Sequence, residues 1–109
     1  MDNATIIARL RNLGSLPDDS TPAVDDFPLE EFDELVQQLS EPLEPSHSLT
    51  LINLGAPRDT SAHGIEWSLI HAAEAISAEA LHDILLVADD TEVKRIIEIR
   101  LKNHYKSQV

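Results

Sequence analysis

The sequence contains no cysteine, which excludes disulfide bonds, thiol nucleophiles and cysteine-ligated zinc or iron–sulfur sites. Aromatic residues are scarce, since Phe, Trp and Tyr make up only 4% of the chain and there is a single tryptophan. No apolar run approaches the roughly 18 residues of a membrane span, and the amino terminus lacks the basic start and long apolar centre of a secretory signal. These absences together predict a cytoplasmic protein.

Basic residues are also few, because 8 Lys and Arg stand against 20 Asp and Glu and give a formal net charge of −12. Neutralisation of phosphates by Lys and Arg is the main attraction in binding to nucleic acids and to anionic lipid surfaces. We therefore expect neither nucleic acid nor membrane among the partners. Complementary charge favours a protein partner with a basic surface instead.

The acidity is concentrated in one part of the chain. Residues 12–57 contain ten acidic residues and no Lys or Arg, whereas residues 91–109 carry a net charge of +3. The densest stretch holds eight candidate partner-binding carboxylates: Asp18, Asp19, Asp25, Asp26, Glu30, Glu31, Asp33 and Glu34. Leu29, Phe32 and Leu35 have helical spacing and would fix the later charges in place. We predict an acidic partner-binding surface here, with a merely solvating surface as the alternative.

Apolar residues recur at intervals of three and four through most of the 109 residues, of which 42% are hydrophobic. This pattern predicts an all-α fold of five or six short helices in antiparallel hairpins, forming a single domain over residues 1–109. The predicted segments are a helix ending at Gly14, an acidic loop over 15–27, a helix over 28–39, a Pro-rich break over 42–48, a helix or strand over 48–54, helices over 62–76 and 78–88, and a last helix after Thr91. Helix is favoured over 48–54, because a single strand would have no partner. Ser61, Ser77 and the Asp89–Thr91 turn supply capping oxygens.

Residues suited to catalysis or metal binding do not form a recognisable set. No serine lies in a G-x-S-x-G turn, and the three glycines are too far apart for a phosphate-binding loop. Glu79 and His82 have the Glu-x-x-His spacing of carboxylate-bridged metal bundles, but the second pair that such sites require is missing. We therefore predict no enzyme, no cofactor and no metal site.

The helix predicted over 62–76 carries the only tryptophan. Trp67 lies on an apolar stripe, which favours a core position, and a contact with a partner is the alternative. Glu66 and Glu74 are eight residues apart and lie with His71 along the polar edge of this helix. That edge is either a solvated face or a polar ridge that frames a partner.

The stretch HGIEWSLIHAAEAI, with the final EVKRIIEIRL helix, resembles helical immunity proteins of bacterial polymorphic-toxin and contact-dependent inhibition systems. Their pattern Gly-x-Glu-aromatic-Ser-Leu-x-His-x-x-Glu is matched by Gly64, Glu66, Trp67, Ser68, Leu69, His71 and Glu74. The resemblance covers roughly residues 55–105. It implies a non-enzymatic inhibitor that binds one cognate toxin, in many such systems a nuclease, and it adds Glu66, Trp67, His71 and Glu74 to the candidate partner-binding residues. Without it, the composition also fits an adaptor or scaffold module that docks a cellular protein in a groove between helices.

Overall fold

The computed structural model of the protein describes residues 2–17, 27–60 and 65–106, with side chains as far as His104. The helices are α1 Asn3–Leu13, α2 Leu29–Gln37, α3 Pro45–Asn53, α4 Ile65–Ala73, α5 Ala78–Leu85 and α6 Glu92–Lys106. No strand occurs in these segments, where the isolated bridge between Pro57 and Thr91 is the only β-type pairing. The all-α prediction is therefore confirmed, and residues 48–53 of the segment predicted as helix or strand are helical. No helix in the described segments is long and apolar enough to cross a bilayer.

The helices form three stacked hairpins. Within the hairpins α1 packs on α2, α3 on α4 and α5 on α6, and successive hairpins are joined by the contacts α1–α3, α3–α5, α2–α4 and α4–α6. One layer thus contains α1, α3 and α5, and the other contains α2, α4 and α6, as in helical-repeat solenoids. Because equivalent helices of neighbouring hairpins run in the same direction, α2 and α4 end on the same side of the protein.

The core lies between the two layers. Each helix contributes apolar side chains at intervals of three and four, which is the spacing that places them on one face. The largest fully buried apolar side chains are Ile6, Leu10, Leu16, Phe32, Leu51, Ile52, Leu69, Ile70, Val93 and Ile97. Burial of a Leu, Ile or Phe side chain contributes about 1.5–3 kcal/mol, so these contacts are the main force that holds the hairpins together.

Helix boundaries follow capping chemistry at several positions. Asp2 caps α1 by accepting a hydrogen bond from the Thr5 amide at 2.8 Å, and hydrogen bonding with the Thr5 side chain, followed by that with its amide, lowers the pKa of the Asp2 carboxyl. Gly14 ends α1 at a φ of +93°, a backbone conformation that glycine adopts without a steric penalty. The predicted cap at Ser77 is confirmed, since its hydroxyl accepts from the Ala80 amide at 3.2 Å. The predicted cap at Ser61 lies outside the described residues.

Several predicted boundaries differ from those in the structure, including the end of α2 at Gln37 rather than at 39. The Pro-rich break does not extend to residue 48, because Pro45 occupies the first turn of α3, where its missing N–H costs no hydrogen bond. Helix α4 ends at Ala73 rather than at residue 76. Beyond Ala73, the Ala75 amide donates a hydrogen bond to the Ala72 carbonyl and forms a tighter turn. Helix α5 ends at Leu85 rather than at 88, and similar turn bonds leave Leu86 and Val87 exposed.

A buried carboxylate joins the α3–α4 loop to the start of α6. Glu92 is 8% exposed, and it accepts hydrogen bonds from the Asp59 amide at 2.8 Å and from Arg95 Nε at 2.7 Å. Asp59 has a φ of +64°, in the left-handed region that Asp tolerates better than most residues. Beside them, the buried Thr91 hydroxyl donates to the Ile52 carbonyl at 2.7 Å. We call Glu92, Asp59 and Arg95 the clasp.

Gly55 lies where the α3–α4 loop passes over α6. A Cβ atom at this position would lie 2.7 Å from Val93 Cγ2, well inside van der Waals contact. We expect Gly55→Ala to lower the free energy of unfolding by about 1–3 kcal/mol, because the added methyl group overpacks the core. Denaturant titration of the Gly55→Ala, Val93→Ala and double variants measures this. The cost of Gly55→Ala should shrink when Val93 is shortened, and simple additivity would contradict the steric explanation.

Candidate interaction surface

Helix α2 holds an ordered row of carboxylates on the outer side of its layer. Glu30, Glu31 and Glu34 are exposed, while Phe32 and Leu35 on the opposite side are buried in the core. Glu30 and Glu31 lie in the first turn, where the amide dipoles of the helix favour negative charge. Because α2 contains no Lys or Arg, the field of these charges is fixed in direction and is not neutralised within the helix.

Asp33 faces helix α4 instead of solvent. Its Oδ1 atom accepts a hydrogen bond from the Ser68 hydroxyl at 2.7 Å, and its Oδ2 atom accepts one from Gln37 Nε2 at 2.8 Å. The bond from Ser68 joins α4 to α2, whereas the bond from Gln37 lies within α2. Asp33 therefore differs from the other three carboxylates of α2, since both of its oxygens have partners within the protein.

The structure contradicts the core position predicted for Trp67. Its side chain is 47% exposed, and its ring centroid lies 6.3 Å from that of the exposed His71, one turn later. The core-facing stripe of α4 consists of Leu69, Ile70 and Ala73, and Trp67 projects away from it. Apolar residues also occur on other sides of α4, and for this reason the sequence pattern alone favoured a core position for Trp67. The protein thus presents its single tryptophan to solvent beside an imidazole.

A groove of about 320 Å³ runs between the carboxyl-terminal ends of α2 and α4. Its walls combine apolar side chains with a few polar ones: Val36, Gln37, Leu39, Ser40, Glu41, Leu43, Ser68, His71, Ala72 and Ala75. His71 connects the groove to Trp67, because it lines the former and contacts the latter. The acidic row lies on α2, the Trp67–His71 pair lies on α4, and the groove lies between the ends of these two helices, so we call them together the α2–α4 face.

Two other candidate residues of α4 and the turn after it make contacts within the protein. Glu74 forms a bidentate ion pair with Arg100 on α6, with oxygen-to-nitrogen distances of 2.8 and 3.0 Å. The hydrogen bonds of this pair raise the pKa of the Arg100 guanidinium. Glu66 is partly buried in the first turn of α4. The structure therefore places Trp67 and His71 on the surface and engages Glu74 in holding α4 to α6.

Several candidate residues lie outside the described segments. They are Asp18, Asp19, Asp25 and Asp26 of the predicted acidic loop, together with Gly64 of the α4 motif. The four aspartates contribute to the negative net charge of the first half of the chain, wherever their side chains lie. The candidate surface is thus defined by Glu30, Glu31, Glu34, Trp67 and His71.

Sequence reasoning missed two parts of this arrangement. Glu41 and Gln37 were not singled out, because the groove exists only where α2 packs against α4 and no local pattern signals that contact. Glu92 was not singled out either, although Arg95 three residues later indicates a local ion pair. No cluster of three or more His, Asp or Glu side chains suited to a metal ion occurs within the described residues.

No protein-family model matches the sequence, and neither the curated proteins nor the solved structures contain a match.

Proposed function

We propose that this protein binds and neutralises a cognate protein toxin with a basic surface, and that the toxin docks on the α2–α4 face. The observation that carries the proposal is the row of exposed carboxylates on α2, an ordered helix that packs against α4, which carries the half-exposed Trp67. Tryptophan is enriched among the residues that dominate binding energy, and fixed charges of one sign speed encounter with a partner of opposite sign. The resemblance of the α4 motif to immunity proteins points to a toxin as that partner.

A nuclease is the toxin class that best fits such a surface. An enzyme that acts on nucleic acid needs a positively charged channel, because its substrate carries a negative charge at every phosphate. Carboxylates that project from one helix can pair with the Lys and Arg side chains of this channel in place of phosphates. The inhibitor then needs no chemistry of its own, since occupation of the channel is enough to block the substrate.

The stacked hairpins favour one other candidate function. Helical solenoids commonly serve as interaction modules, so an adaptor that docks a cellular protein in the α2–α4 groove would use the same surface without neutralising a toxin. In that case the acidity would maintain solubility. The two proposals differ in the activity of the partner rather than in the location of the contact.

Capture of the partner from native cells, followed by expression of that partner alone, tests the proposal. We expect a protein with a basic surface that arrests growth when it is expressed alone and no longer does so when this chain is co-expressed. Purified partner should lose its enzymatic activity when an equimolar amount of this chain is added. A captured partner that is harmless when expressed alone would support the adaptor function instead.

A further inference from the structure

We propose that the α2–α4 groove binds one arginine side chain of the protein partner, with its alkyl stem along the apolar walls and its guanidinium facing carboxylates. This inference rests on the proposed function, since it names the partner group that the α2–α4 face would recognise. Three features of the groove support it: its charge, its size and its connection to Trp67.

The charge of the groove favours a cation. Among the described residues that line the groove, Glu41 is the only carboxylate, His71 is the only basic side chain, and none is Lys or Arg. Asp33 adds a second carboxylate, one hydrogen bond behind the lining residues Gln37 and Ser68. Helices α2 and α4 both end here, and the carbonyl end of a helix carries a partial negative charge that attracts cations. No basic residue occupies the last turn of α2 to offset that charge.

The size and walls of the groove fit a long side chain with an apolar stem. Its volume of about 320 Å³ is at the lower end of the range of about 300–1,000 Å³ for ligand sites, so it suits one side chain rather than a folded segment. Val36, Leu39, Ala72 and Ala75 offer apolar surface for methylene groups. Long cationic side chains commonly bury their stems in this way while the charged group stays near solvent.

The neighbouring aromatic pair favours arginine over lysine. His71 lines the groove, and its ring centroid lies 6.3 Å from that of Trp67, so we place the guanidinium at the end of the groove nearest this pair. A guanidinium is planar and weakly hydrated, so it stacks on aromatic faces and pairs with carboxylates more readily than an ammonium group does. Contact of a cation with the face of tryptophan is the strongest interaction of this type.

The test uses N-acetyl-arginine amide as the probe and the intact protein without its partner. Trp67 is the only tryptophan in the sequence, so its fluorescence reports the groove mouth alone, and backbone amide NMR shifts locate the probe. We expect saturable shifts at Leu39, Ala72 and Ala75 with a dissociation constant of about 1 mM, the range for a ligand of this size. The neutral analogue with citrulline should bind at least about tenfold more weakly, because it keeps the shape and lacks the charge.

A matched pair of variants locates the carboxylate contribution. Glu41→Gln removes the carboxylate charge from the groove lining. It should lower the affinity for the probe about fivefold, which is the upper range for an exposed ion pair. Glu79→Gln removes an equal charge from the exposed surface of α5, away from the α2–α4 face, and should leave binding within about twofold. Shifts that do not saturate, equal binding by the citrulline analogue, or tighter binding by N-acetyl-leucine amide would each overturn the proposal.

A negative result for the arginine site can be distinguished from a negative result for the proposed function. If the groove does not bind the arginine probe but the isolated partner still loses its activity on mixing with this chain, only the arginine site is wrong. If the probe binds as expected but the captured partner is not a toxin, the groove stands and the toxin function is wrong.

Discussion

Replacement of Glu30, Glu31 and Glu34 with lysine is expected to slow association with the partner about 100-fold at low ionic strength. These three carboxylates are exposed and lie on one ordered helix, so their field acts on an approaching partner before contact. Electrostatic steering changes association rates by about 10- to 1,000-fold, and screening by salt reduces it. The dissociation rate should change less, because rim charges act mainly on encounter. Asp33 is left intact in this variant, since its carboxylate holds α2 against α4.

Stopped-flow mixing at several salt concentrations measures this effect. The matched control is reversal of Glu79, Asp83 and Glu98, which are exposed on α5 and α6 and change the net charge by the same amount. The control should associate nearly as fast as the unmodified protein. If both triple variants slow association equally, net charge alone governs encounter and the α2–α4 face has no special role.

Replacement of Glu92 with alanine is expected to lower the free energy of unfolding by about 2–3 kcal/mol. The variant leaves the Asp59 amide and the Arg95 guanidinium without their shared acceptor, and a lost hydrogen bond to a charged group costs about 1.5–3 kcal/mol. The estimate stays below the sum of two such bonds, because the Arg95 side chain is 31% exposed and water can replace part of the interaction. Urea titration measures this change in the free energy of unfolding. Glu98→Ala, an exposed position on the same helix, should change stability by less than about 0.5 kcal/mol.

The clasp also predicts how stability depends on pH. Hydrogen bonds from Arg95 and from the Asp59 amide lower the pKa of Glu92 below its ordinary value of 4.5, even though burial acts in the opposite direction. The charged carboxylate therefore stabilises the native state fully above that value, and this contribution is lost as the pH falls through the lowered native pKa. The Glu92→Gln variant should lose less stability between pH 5 and pH 3 than the unmodified protein does. If the two proteins lost equal stability between pH 5 and pH 3, the Glu92 carboxylate of the clasp would not titrate in this range.

The helices were predictable because their signals are local. The spacing of Leu81, Ile84, Leu85 and Ala88 placed all four in the core, where the structure has them. The choice of helix over 48–54 followed from the lack of a partner strand, and Leu51 and Ile52 are fully buried on one side of α3. Apolar periodicity is therefore enough to locate most of these elements, while their exact ends depend on turns that have no strong sequence signal.

The surface was harder to predict, because it depends on how the hairpins stack. The acidic row on α2 was visible as a run of charge, and its ordered helix was predicted from Leu29, Phe32 and Leu35. The exposure of Trp67 was not predictable, because residues on several sides of α4 are apolar and only the neighbouring helices decide which side is covered. The contact between Asp33 and Ser68 spans 35 positions, so no local pattern reveals it.

Hydrogen–deuterium exchange of the purified complex tests most directly whether the α2–α4 face receives a basic partner. The proposal predicts protection that is concentrated in α2 and α4 of this chain and in partner peptides that are rich in arginine and lysine. Protection confined to α5 and α6, or to acidic or uncharged segments of the partner, would contradict it.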